Sequence, residues 1–104
     1  MEQIKILFIA SDQKIVDIVY RLINSNICWN GFATTDLDEA KNILIKEGIM
    51  LVLVGAGLEP KAEAEFKKYC NGFKQGIILV DHYGGGSGLL SNEILHALEK
   101  NATK

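Results

Sequence analysis

Residues 81 to 88 read DHYGGGSG. Asp81, His82 and Tyr83 supply an acid, a base able to switch near neutrality and an aromatic surface. Gly84, Gly85 and Gly86 follow, then Ser87 and Gly88. Backbone N–H groups in such a loop can surround an anion, and a helix beginning just after it adds a favourable field. The ligand class this chemistry would take is a phosphate-bearing small molecule. Neither the Walker spacing with its Lys-Ser/Thr ending nor G-x-G-x-x-G in the first strand–helix turn is present. The preferred reading of the loop is therefore a flexible connection in which Ser87 or Ser91 caps a helix. Three consecutive glycines are costly in chain entropy, which keeps the anion reading in play.

The neighbouring residues divide in the same way. Asp81 together with Asp12 offers oxygens to a hard cation. In the simpler, preferred reading Asp81 accepts N–H bonds within the loop, and His82 and Tyr83 are partly exposed. No Ser–His–Asp or Cys–His order is readable, so no catalytic residue, metal or cofactor is assigned. Trp29 is expected in the core, His96 on the surface, and Cys28 and Cys70 as small buried apolar residues.

These residues need elements to place them. Ile4 to Ala10 form a continuous apolar run, suited to a strand buried on both faces. Ile15, Val16, Val19, Leu22 and Ile23 then fall at helical spacing, with Asp12 as cap. Cys28 to Thr35 form a weaker strand, broken by Gly31, at an edge. Asp36 opens the next helix, with Glu39 as its reciprocal capping partner. Leu37, Ala40 and Leu44 are its buried stripe, and Gly48 its left-handed stop.

Ile49 to Gly55 are a second buried strand. Pro60 begins a helix carrying Ala62, Phe66, Tyr69, Cys70 and Phe73 on one face, ended by Asn71-Gly72. Gln75 to Val80 give a fourth strand. Leu90, Ile94, Leu95 and Leu98 mark a last short helix, and the tail KNATK should fray.

Strict β–α alternation implies an open parallel sheet with helices on both faces. Right-handed crossovers give the strand order 2-1-3-4. Residues 1–104 are read as one domain, without repeat or linker. Ligands of such sheets sit at the carboxyl ends of the strands, where the order reverses. Ser11, Asp12, Gly55, Ala56 and Gly57, and Asp81 to Ser87, are expected to gather there, with Thr34, Thr35 and Asp36 at the side.

This arrangement resembles a response-regulator receiver domain of the flavodoxin-like fold, over nearly the whole chain. The resemblance implies an acidic pair after the first strand, where this chain has Ser11-Asp12. It implies a phosphoacceptor aspartate at the end of the third strand, where LVLVGAGLEP offers Gly55 or Ala56. The hydroxyl residue implied after the fourth strand is replaced by Asp81, and the lysine of a fifth strand has no counterpart. The resemblance therefore implies a degenerate, shortened receiver-like domain, lacking the fifth βα unit and phosphoryl-transfer chemistry.

The totals agree with a small globular domain. Of 104 residues, 48% are hydrophobic and 23% charged, with formal charge −2. A pI near 5.6 gives no basic footprint for nucleic acid. Two cysteines without metal-ligand spacing suit a reducing cytoplasm. No run approaches the length of a membrane span, and the start of the chain shows no signal peptide. The expected function is a non-enzymatic interaction module, acting through homodimerisation or docking to a protein partner. The alternative is a module that binds a phosphate-bearing molecule at Gly84 to Gly88. The apolar fourth strand, left bare at an edge, favours the homodimer.

Overall fold

The computed structural model of the chain describes residues 3–73, 76–82 and 87–102. Its elements are β1 (Ile4–Ile9), α1 (Gln13–Asn24), β2 (Trp29–Thr34), α2 (Leu37–Glu47), β3 (Leu51–Val54), α3 (Pro60–Asn71), β4 (Ile78–Asp81) and α4 (Ser87–Ala102). All strand pairs are parallel, in the order β2-β1-β3-β4. The expected fold is the one observed. Each strand is a residue or more shorter than its apolar run, except that β4 starts later and continues through Asp81.

The alternation of β1 and β3 divides the core into two layers. Ile6, Phe8, Leu51 and Leu53 face α1 and α4, packing with Val16, Val19, Ile23, Leu90 and Ile94. Leu7, Ile9, Val52 and Val54 face α2 and α3, packing with Ala40, Leu44, Phe66 and Cys70. Burial on both faces explains why these strands are apolar throughout rather than alternating. Trp29 is in the first layer, as expected.

Local signals set the helix ends. Asp36 accepts from the N–H groups of Asp38 and Glu39 at the start of α2. The reciprocal bond expected from Glu39 is replaced, because the Asp36 N–H donates to Thr34 Oγ1 at 3.0 Å. Gly48 ends α2 at φ 63°, a left-handed conformation that favours glycine. Glu59 caps α3 ahead of Pro60, accepting from Lys61 and Ala62 N–H.

Four side-chain expectations are corrected. Ile15 is 44% exposed and Leu95 51% exposed. Each is one residue, or about 100°, away from a buried neighbour (Val16 and Ile94), and so turns off the stripe. Cys28 is exposed, lying in the turn before β2, whereas Cys70 is buried. Gly31 does not break β2. It lets α1 approach closely, since a Cβ there would stand 2.6 Å from Ile23 Cγ2. Asn24 uses that proximity: its Nδ2 donates to the Gly31 carbonyl at 3.2 Å, and its Oδ1 accepts from the Gly31 N–H at 2.8 Å. Among the described residues, no helix is long and apolar enough to cross a membrane.

Candidate functional site

At the carboxyl ends of β1 and β3 the chain turns away in opposite directions and leaves a cleft of about 320 Å³. Ser11, Asp12, Gly55, Ala56, Gly57 and His82 line it, with Phe8, Ala10 and Ile15 as its apolar part. Of the residues expected at the site, the structure brings together Ser11, Asp12, Gly55, Ala56, Gly57 and His82. Tyr83, Gly84, Gly85 and Gly86 lie outside the described residues, and Ser87 begins α4.

Each wall has a local cause. Asp12 turns the chain into α1 as its cap, its Oδ1 accepting from the Lys14 N–H at 2.8 Å. Ser11 Oγ reaches the Ala56 carbonyl at a long 3.5 Å. Gly57 sits at φ 90°, and a Cβ there would collide with Ser11 Oγ. The Gly55 N–H donates to the Ile9 carbonyl at 2.7 Å, which extends the β1–β3 ladder beyond the last strand residue. A Cβ on Gly55 would stand 2.7 Å from Ala10 Cβ and 2.8 Å from Phe8 Cζ. The space a side chain would need at this position is already filled by the core.

His82 is the anchor of the far wall. It was expected to be partly exposed, but it is 5% exposed. Its backbone N–H donates to the Val54 carbonyl at 2.8 Å. Its Nδ1 is 2.8 Å from Glu93 Oε1 on α4, and its ring meets Phe8 edge-on at 6.2 Å. A buried imidazole needs a polar partner, and Glu93 provides it. Nothing in the local sequence marks Glu93, because the pairing depends on how α4 folds back over the sheet.

Asp81 points away from this cleft. It follows Leu79 onto the α2/α3 face by the two-residue alternation of a strand. There its Oδ1 is 2.9 Å from Lys67 Nζ, which also lies 3.3 Å from Glu63. The hydrogen bond to Asp81 raises the Lys67 pKa above its ordinary value; burial opposes the shift and Glu63 adds to it. Asp81 is thus paired with a cation from α3, and the loop whose N–H groups it was expected to hold lies outside the described residues. The Glu63–Lys67 spacing of four residues marks only their own pairing along α3, and nothing in the local sequence marks Asp81 as the further partner of Lys67.

Thr34 is buried and Thr35 and Asp36 flank β2, to the side of the cleft. Among the described residues no lysine or arginine lines the cleft, and no group of three or more His, Cys, Asp or Glu side chains could hold a metal ion. A larger hollow of about 510 Å³ lies at the opposite end of the sheet, against Gln3, Lys5, Asn30, Glu47, Gly48 and Met50. That is the amino end of the strands, where helices finish and their N–H groups point away, so it is the poorer candidate.

No family model matches the chain, and no curated protein matches it. Solved structures do. A signal receiver domain of an HD domain-containing protein from Pseudomonas fluorescens Pf-5 superposes with a TM-score of 0.70 at 15% identity, covering 99% of this chain and 100% of that one. This chain has the receiver fold. A response regulator receiver protein from Pseudomonas putida gives a TM-score of 0.67 at 10% identity, over 93% of this chain and 81% of that one. In the receiver fold, Gly55 and Ala56 stand at the carboxyl end of the third strand, and the cleft described above is the one at the reversal of strand order.

Proposed function

We propose that this chain is a receiver-fold interaction module that has lost its phosphoacceptor and acts through homodimerisation or docking to a protein partner. One observation carries the reading. At the end of β3, where a receiver would be expected to carry its acid, this chain has Gly55 followed by Ala56, and Ala10 and Phe8 fill the space that a Cβ at Gly55 would need. Ala56 offers no carboxylate, and Asp12 is engaged as a helix cap. Asp81 is paired with Lys67 on the other face. Phosphoryl transfer needs an acceptor and positioned charge around it, and the one carboxylate among the described residues lining the cleft, Asp12, is held as a helix cap. A cytoplasmic setting fits the two unbridged cysteines.

Incubation with acetyl phosphate or beryllofluoride tests this directly. The intact mass and the amide NMR spectrum should not change. A stoichiometric phosphoryl adduct on Asp12 or Asp81 would overturn the reading.

A second reading is favoured by the cleft itself, which unites six residues expected of a ligand site. A phosphate-bearing molecule would there rely on backbone N–H groups of residues 84–88. Thermal-shift screening with nucleotides and sugar phosphates separates the two readings, since a ligand that binds only the folded state raises the melting temperature. Gly85→Val should abolish such a shift by blocking backbone approach. Absence of any shift in the wild type would remove this reading.

A further inference from the structure

β4 is the last strand of the sheet among the described residues, and α4 lies along it. Glu93, His96, Ala97 and Lys100 recur at i, i+3, i+4 and i+7, which places them on one side of the helix. With Ile78, Leu79 and Val80 they line a groove of about 440 Å³ that opens beyond the edge of β4. The floor of the groove is half-buried apolar strand and its wall is a mixed helix face.

The order of residues on that wall is its own complement. When the helix is turned end for end about a point between His96 and Ala97, Glu93 falls opposite Lys100, and His96 falls opposite Ala97. A twofold axis performs that operation and brings the same patch of two copies together. Each dimer would then hold two Glu93–Lys100 contacts. Ala97 near the centre is small enough for two helices to approach at about 8–10 Å between axes. The same axis would run the two β4 edges antiparallel beneath the helices, where each has backbone groups to pair. Within its own chain the acid of this contact also meets His82 Nδ1 through Oε1, at 2.8 Å.

We propose that the occupant of this groove is a second copy of the chain, with α4 antiparallel to α4, Glu93 facing the second copy's Lys100, and β4 beside β4. The proposal rests on the self-association reading above and gives it a surface and a register.

The test is a charge swap read by sedimentation equilibrium on the full chain. The wild type should be dimeric well above micromolar concentration. K100E and E93K should each dimerise about tenfold more weakly or less, because each places like charges across the axis twice. An equimolar mixture of the two should recover dimerisation as a heterodimer, since opposite charges again face each other. Circular dichroism confirms that each variant is folded. If E93K loses its fold with its His82 contact, K100M and K100E decide the matter: reversal must weaken the dimer more than removal. Equal effects, or a mixture that stays monomeric, overturn this register. A wild-type dimer indifferent to every variant overturns the surface but leaves self-association standing. A wild-type monomer overturns both.

Discussion

At the β2 edge the Asn24 carboxamide sits against Gly31 like a peptide group from a further strand, meeting both its N–H and its carbonyl. At the β4 edge the outward groups belong to Leu79 and Asp81, because Ile78 and His82 donate inward to Met50 and Val54. No described residue bonds those outward backbone groups. The difference begins with side-chain size. Gly31 lets the end of α1 reach the sheet, while β4 carries Ile78, Leu79 and Val80, which hold neighbouring elements at a distance. One edge is closed by a helix residue acting as strand, and the other offers backbone to whatever next approaches.

Gly31→Val is the harshest way to break this contrast. The new side chain would enter Ile23 and displace Asn24, so overpacking and two lost hydrogen bonds add to roughly 3 kcal/mol. A fall in the urea midpoint measures it. Asn24→Ala removes the edge closure alone and should cost about 1–2 kcal/mol. It should also create concentration-dependent association that the wild-type β2 edge does not support, visible by light scattering. If Asn24→Ala neither destabilises nor associates, the carboxamide is not what closes this edge.

Proline sharpens the other side. Val80→Pro removes a ladder hydrogen bond to β3, whereas Leu79→Pro replaces an outward N–H that has no described partner. The first should be less stable than the second by about 1 kcal/mol or more, and Leu79→Pro should also weaken any strand-to-strand dimer. Equal stability would mean that β4 is not read in the right register.

The smallest effect is alkaline. Burial pushes the Cys70 thiol up to about 11, from an ordinary 9.0. Lys67 is raised by its hydrogen bond to Asp81. For both groups the unfolded chain releases its proton first. The stability they contribute is therefore present below the ordinary values and declines as pH rises through the raised ones. Both belong to α3, which covers β4, so the loss should fall on that side. Urea midpoints measured from about pH 8 to about pH 11 should decline, and Cys70→Ala should flatten the curve. An unchanged slope in Cys70→Ala would assign the decline elsewhere.

The strand order was legible because it depends on alternation and handedness, both of which act over short stretches of chain. Asp12 and Gly48 were legible for the same reason: each works within one turn of its own helix. The gathering of Ser11, Asp12, Gly55, Ala56, Gly57 and His82 followed from the strand ends. What could not be read were meetings between distant segments. Glu93 finds His82 only once α4 lies over the sheet, and Asp81 was misdirected because a shift of one residue in where β4 ends changes the face it serves. Gly31 read as a break because sequence shows an absent side chain, not the helix that fills its place.

Cys28 has a practical consequence. It is exposed, while Cys70 is buried with its thiolate suppressed, so alkylating reagents should address one thiol per chain. That thiol stands at the head of β2, on the far side of the sheet from β4. Two copies joined at β4 would carry their reactive sulfurs at opposite ends of the pair. Two copies joined at β2 would bring them close and bridge covalently in air. A nonreducing gel of unmodified protein left under oxygen therefore reports which side of the sheet meets its twin, and a nitroxide attached at Cys28 turns the same geometry into a measured distance.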